Sequence, residues 1–114
     1  MSECLFCKVV EKKIPANVVY EDDQVVAFKD IRPVAPTHIL IIPRVHFASL
    51  DTATNEHRDV IGHAMLTAAK IAREQGFAEN GYRTVVNTGE HAGQTVFHLH
   101  VHVLGGRDFV WPPG

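Results

Sequence analysis

Apolar positions along the chain recur with two different periods, and the changes of period mark out its elements. Leu5, Phe6, Val9 and Val10 fall at helical spacing and predict a short helix ahead of Ile14-Pro15. Val18-Val19-Tyr20 and Val25-Val26-Ala27-Phe28 flank Glu21-Asp22-Asp23-Gln24, which reads as a hairpin with a longer turn. Ile31-Arg32-Pro33-Val34-Ala35-Pro36 is a proline-punctuated connection, and residues 37–42 read as a buried strand stopped by Pro43. Val60, Ile61, Ala64, Met65, Ala68, Ile71 and Ala72 form one stripe of a long helix, with Asp51 or Thr54 to cap it and Gly76 to end it. After Asn80-Gly81 a strand is expected over 82–87 and a loop over 88–95. An alternating run follows over 96–103, and Gly105-Gly106 releases the chain into its tail. Strands joined by hairpins and interrupted by one long helix predict an antiparallel sheet with helices to one side, an α+β domain.

Composition narrows this further. A chain of 114 residues is one domain, large enough to bury roughly two-thirds of its unfolded surface. A net charge of -2 with no Lys/Arg-rich run argues against a nucleic-acid or membrane-surface partner. The start, Met1-Ser2-Glu3-Cys4, has no basic, apolar leader, and residues 39–42 are far too short to span a bilayer. The expected location is cytoplasmic, with Cys4 and Cys7 reduced.

The candidate chemistry lies in the alternating run. His98, His100 and His102 alternate with Leu99, Val101 and Val103. A strand places the three imidazoles on one face, whereas a helix sets His100 nearly opposite the other two. The β-branched and aromatic content of 96–103 favours the strand. Three readings compete: unrelated polar positions on a solvated face, a catalytic zinc site, and a nucleophilic imidazole with imidazole neighbours. The preceding loop, Asn87-Thr88-Gly89-Glu90-His91-Ala92-Gly93-Gln94-Thr95, offers glycines whose backbone N–H groups can turn toward an anion, besides amide and hydroxyl donors. A phosphate beside a neutral imidazole nucleophile fits both segments, because histidine near pH 7 is mostly neutral while a protonated neighbour supplies an acid.

The His98-x-His100-x-His102 run with its loop resembles the histidine triad family, in the branch of nucleotide-binding proteins that act as purine nucleoside phosphoramidases. The likeness extends through Ile14-Pro15, Glu21-Asp22-Asp23, Ala27-Phe28-x-Asp30-Ile31, Ala35-Pro36-Thr37-His38, Gly81-Tyr82-Arg83-x-Val85-Val86-Asn87, Gly93-Gln94, Leu104-Gly105-Gly106-Arg107 and Trp111-Pro112-Pro113-Gly114. It implies a single domain over 1–114, with a short N-terminal Cys-x-x-Cys helix and a tail over 105–114. It implies a five-stranded antiparallel sheet with one long and one short helix, paired into a ten-stranded homodimer. The implied activity is hydrolysis of nucleoside 5′-phosphoramidates and related conjugates. By this likeness His100 attacks the α-phosphorus and His102 contacts phosphate and assists the leaving group, with His38 near them. Asn87, Gly93, Gln94 and Thr95 meet the phosphate, Asp30 holds the ribose with Ile31 beside it, and Phe6, Val9, Ile14 and Leu40 wall the base pocket. Thr95 stands where many relatives carry serine, so the hydroxyl donor is kept. Trp111 is expected to reach the partner subunit. The alternatives are a dinucleoside polyphosphate hydrolase and a nucleotide-binding adaptor whose hydrolysis is incidental.

Cys4-x-x-Cys7 is half of a tetrahedral metal site, and redox activity is its usual rival. It does not follow a strand of a βαβ unit, which argues against the redox type. Some members of the resembled family complete a structural zinc with a histidine after the buried strand and the first histidine of the triad. Those are His46 and His98 here, a Cys₂His₂ set; His98 is also a catalytic candidate beside His100, His102 and His38, and zinc on it would take it out of the chemistry, with no catalytic metal or organic cofactor expected. Nothing singles out His57, His63 or His91.

Overall fold

The computed structural model describes residues 3–114, so the first two positions of the expected domain lie outside the described residues. The order is α1 (Leu5–Val10), β1 (Val18–Glu21), β2 (Val25–Lys29), β3 (Thr37–Pro43), α2 (Arg58–Glu74), β4 (Tyr82–Val85) and β5 (Val101–Gly105). The strands form one antiparallel sheet in the order β1-β2-β3-β5-β4. The α+β class, the five strands and the two helices are as the sequence implied.

Strand alternation distributes the core onto two faces. Val25, Ala27, Ile39, Ile41, Val101 and Val103 pack against Ala64, Ala68, Ile71 and Ala72 of α2. The alternate residues Val26, Phe28, Leu40 and Ile42 pack against Phe6 and Val9 of α1. The helices therefore cover opposite faces rather than one. The central strands β2 and β3 are apolar on both sides, and α1 is the cover for the second.

Capping is less direct than expected. Thr54 accepts from the Glu56 N–H and caps the 3-10 turn Asn55–His57, which leads into α2, while Asp51 lies in an earlier turn capped by Ser49. Gly76, at φ +85°, follows the end of α2 in the left-handed conformation that favours glycine.

Two strands are shorter than the pattern predicts. β4 ends at Val85, and β5 begins only at Val101, so His102 alone of the three histidines lies on the ladder. The β3 pairing reaches Ile41 opposite Val101 and stops near Pro43, which has no N–H to extend it. The Leu99 N–H donates instead to the Phe47 carbonyl at 2.8 Å. The alternation survives all the same: Leu99, Val101 and Val103 are buried, Phe6 packs against both His98 and His100, and His100 packs against His102.

The β1–β2 turn is organised by Asp22. Its carboxylate accepts from the N–H groups of Gln24 and Val25, from Tyr20 Oη and from His63 Nε2 on α2, the last at 2.6 Å. Burial pushes the Asp22 carboxyl up, but the bonds from His63, Gln24, Val25 and Tyr20 outweigh it and hold it far below the usual carboxylate range. A depressed folded-state value stabilises the fold above the unfolded value of about 4, and that contribution is lost as pH falls through the folded value. Asp22→Asn is therefore expected to lower the thermal midpoint at pH 7 and to flatten its decline below pH 4. An unchanged midpoint at pH 7 would remove Asp22 as an anchor.

Candidate active site and metal-binding group

A cavity of about 370 Å³ opens between α1, the segment after it, and the β3–β5 face. Phe6, Val9, Ile14, Leu40, Asp30, Ile31, Thr95, His100 and His102 all line it. So do Phe28 and Val96, and Lys29 and Arg32 as well, two cations that the sequence reading did not single out. Their only signal was adjacency to Asp30, since a charged residue beside a turn is ordinarily solvated.

His100 is buried, its ring 5.1 Å from that of Phe6 and 5.0 Å from that of His102. Its Nδ1–H donates to the His98 carbonyl at 2.8 Å, which assigns the lone pair to Nε2. His102 Nδ1 lies 2.9 Å from His38 Nε2, and the Val34 N–H donates to His38 Nδ1 at 3.2 Å. An imidazole that accepts at Nδ1 carries its proton on Nε2, so His38 donates to His102 Nδ1 and leaves the proton of neutral His102 on Nε2. The two catalytic candidates thus present opposite faces to the cavity, a bare nitrogen on His100 and an N–H on His102. Burial lowers His102 to about 4, helped by His100 and His38 and opposed by Asp30. Burial also lowers His38, again against Asp30.

Asp30 serves two purposes. Oδ1 accepts from the Arg32 N–H at 2.7 Å, the turn-forming role, and Oδ2 lies 3.4 Å from His38 Nε2. Asp30, His38 and His102 are close enough to hold a metal. The Val34 N–H speaks against it, because a metal on His38 Nε2 would leave that ring no proton while Nδ1 is still accepting.

The loop before His98 departs from the anion nest. The Gly93 N–H donates to the Glu90 carbonyl at 3.0 Å and the Gln94 N–H to the Gly89 carbonyl at 3.1 Å. The buried Gln94 side chain donates to the Ala48 and Val96 carbonyls and accepts from the Gly89 N–H. The N–H groups of the expected phosphate donors Gly93 and Gln94 are thus committed in closing the 3-10 turn Glu90–Ala92, and with Asn87 these residues do not line the cavity. Thr95 does, which leaves its hydroxyl as the loop's donor there.

His98 faces away from this chemistry. It is fully buried and absent from the cavity lining. Its Nε2–H donates to the Pro43 carbonyl at 2.8 Å, and its Nδ1 joins Cys4, Cys7 and His46 in a group that can hold a metal ion. His98 Nδ1 is 3.4 Å from Cys4 Sγ, 3.6 Å from Cys7 Sγ and 3.1 Å from His46 Nδ1, and Cys7 Sγ is 3.4 Å from His46 Nδ1. A tetrahedral ion with sulfur at ~2.3 Å and nitrogen at ~2.05 Å sets edges of about 3.5 Å for S···N and 3.3 Å for N···N. The side chains already stand near those edges, and the Pro43 bond fixes the His98 tautomer as an outer-shell partner does. Burial lowers His98 to about 4, against the Pro43 bond.

The tail is held to the sheet by cation–π contacts of Arg83 and Arg107 with Phe109, and Trp111 beyond it is 81% exposed. No helix of the described residues is long and apolar enough to cross a membrane.

Comparison with known proteins adds four findings. A model of the HIT domain matches residues 11–109. The chain is similar to the purine nucleoside phosphoramidase of Escherichia coli K12, 49% identical over 105 residues that cover 92% of this chain and 88% of the relative. Among solved structures it resembles a HIT family hydrolase from Legionella pneumophila Philadelphia 1, with TM-score 0.96 and 46% identity over 98% of this chain and 100% of that one. It also resembles a zinc-bound histidine triad family protein from Mycobacterium smegmatis, with TM-score 0.81 and 33% identity over 93% of this chain and 76% of that one.

Proposed function

This chain belongs to the HIT domain family, and from that premise we propose that it hydrolyses nucleoside 5′-phosphoramidates through a nucleotidyl-histidine at His100. The observation that carries the reading is the pair of opposed nitrogens on the cavity wall, the bare Nε2 of His100 and the Nε2–H of His102.

The base enters among Phe6, Val9, Ile14 and Leu40, and Asp30 accepts the ribose hydroxyls with Ile31 beside it. The Thr95 hydroxyl donates to phosphate, Gly93 and Gln94 hold the loop that carries it, and Asn87 at the start of that loop is proposed as a second phosphate donor. His100 Nε2 attacks phosphorus while its Nδ1–H, on the His98 carbonyl, stabilises the developing imidazolium. As the phosphorus–nitrogen bond breaks, His102 Nε2 passes its proton to the departing amine. Water then attacks phosphorus, returns a proton to His102 and frees His100 with release of the nucleoside monophosphate.

Zinc is the ion proposed for Cys4, Cys7, His46 and His98. Four protein ligands close the site, so the metal supplies stability and a rigid His98, while the chemistry stays with His100 and His102. A homodimer formed along β4, which has a sheet neighbour on one side only, completes the proposal. Trp111 would then extend toward the partner.

Turnover of adenosine 5′-phosphoramidate, measured beside a diadenosine polyphosphate, tests the substrate class. Release of adenosine monophosphate from the phosphoramidate at a much higher kcat/KM is expected. Preference for the dinucleotide would replace the reading with polyphosphate hydrolysis. Tight nucleotide binding with no turnover of either would make the protein an adaptor.

A further inference from the structure

The connection between β2 and β3 carries Asp30 at one end and delivers the Val34 N–H to His38, yet it has little packing behind it. A second cleft of about 180 Å³ lies against it, lined by Asp30, Pro33, Pro36 and His38 among others, and Val34 itself is 61% exposed. What holds the connection from outside is the corner at the end of β5. Gly106, at φ +91°, lies so close to Pro36 that a Cβ there would stand 2.8 Å from Pro36 Cβ. Arg107 Nε–H donates to the Val34 carbonyl at 3.2 Å. The guanidinium is itself immobilised, stacked 4.3 Å from the Phe109 ring centre and donating through Nη1 to the Asp108 carbonyl at 2.9 Å.

We propose that Arg107 is a positioning residue: by fixing Val34 against His38 it selects the tautomer that leaves the His102 proton on Nε2, facing the leaving group. The His38–His102 pair has two neutral arrangements. In one, His38 Nε2–H donates to His102 Nδ1 and the His102 proton is on Nε2. In the other, His102 Nδ1–H donates to His38 Nε2 and the His102 nitrogen facing the cavity is bare. The 2.9 Å separation suits both equally. The Val34 N–H decides between them, because it forbids a proton on His38 Nδ1. Asp30 Oδ2 favours the same arrangement from the longer distance of 3.4 Å. Loss of the Arg107 bond frees Val34 to turn and restores the competing arrangement. The rate consequence rests on the proposed role of His102; the tautomer consequence does not.

The test is Arg107→Ala and Arg107→Lys, compared with wild type on two substrates and by ¹⁵N spectroscopy of the histidine rings. An amine leaving group needs a proton from His102, whereas a p-nitrophenyl ester of adenosine 5′-monophosphate loses a stable anion. Arg107→Ala is expected to lower kcat/KM about tenfold or more for the phosphoramidate and by no more than about twofold for the activated ester. Arg107→Lys, which keeps a donor for the Val34 carbonyl, should recover most of the loss. The spectrum should show the His102 proton on Nε2 in the wild type and divided between both nitrogens in Arg107→Ala. Equal slowing of both substrates would reduce Arg107 to a brace for the tail. An unchanged His102 tautomer in Arg107→Ala would overturn the inference whatever the rates. Wild-type failure on both substrates would remove the proposed function instead, and the spectrum would still decide the positioning claim.

Discussion

His100→Ala is expected to reduce phosphoramidate turnover by about 10⁴-fold or more, the scale on which removing a covalent nucleophile acts. The expectation follows from one hydrogen bond. With Nδ1–H committed to the His98 carbonyl, Nε2 of His100 is the nitrogen left for phosphorus, and no other side chain of the cavity wall offers an equivalent bare imidazole nitrogen. His102 presents an N–H, His98 is off the wall, and His38 is committed on both nitrogens. Nucleotide affinity should change little, because the cavity residues proposed to receive the base, Phe6, Val9, Ile14 and Leu40, and the ribose, Asp30, are untouched. The two readouts must therefore separate: rate collapses while the dissociation constant for adenosine monophosphate holds. Survival of about a tenth of the wild-type rate would rule out His100 as the nucleophile.

Metal removal is the second large effect. Protein purified under reducing conditions without chelator is expected to carry one zinc per chain, and Cys7→Ser to carry none. Cys7 is the cleaner choice because Cys4 Sγ also caps α1, accepting from the Cys7 N–H, so serine at position 4, a stronger cap, would change the helix as well as the metal site. Binding to the folded state alone contributes about 4 kcal/mol when free metal is a thousand times its dissociation constant, so a fall in Tm on the order of 10 °C is expected. Rate below the melting range should fall much less, since the group lies off the cavity and reaches His100 through the His98 carbonyl and the Phe6 ring that packs on both imidazoles. Absence of stoichiometric zinc in the wild type would end the metal proposal. A rate loss in Cys7→Ser as deep as that of His100→Ala would place the metal in the chemistry.

The elements were legible because their signals are local. The stripe from Val60 to Ala72 and the alternation of Val25 to Phe28 report which face of each element meets apolar neighbours, and the core holds most of both, with Met65 at the edge of the stripe exposed. The period-two histidines likewise ended as neighbours on one side of the chain. The ladder beneath them was not legible, because where β5 starts depends on Pro43 and Phe47, residues far away in sequence. The nest reading of the loop failed for a similar reason. Gly93 and Gln94 have the right backbone freedom, but a buried glutamine amide closes the loop on itself and on Ala48.

By itself the sequence determined which residues the site has to work with: three alternating imidazoles, a Cys-x-x-Cys pair, Asp30, and the apolar run that becomes the pocket wall. It determined the α+β class through periodicity, which needs only neighbouring residues to read. The division of labour among the histidines was decided by the tertiary structure alone. An imidazole's role is set by which of its nitrogens already has a partner, and those partners are distant: Pro43 for His98 lies 55 residues away, and His38 for His102 lies 64 away. Identical side chains in one short run thus differ in which nitrogen is left free, and on that difference rest the proposed roles of metal ligand, nucleophile and proton donor. Burial and hydrogen-bond geometry fix the position of a proton, and no local pattern of residues encodes that position.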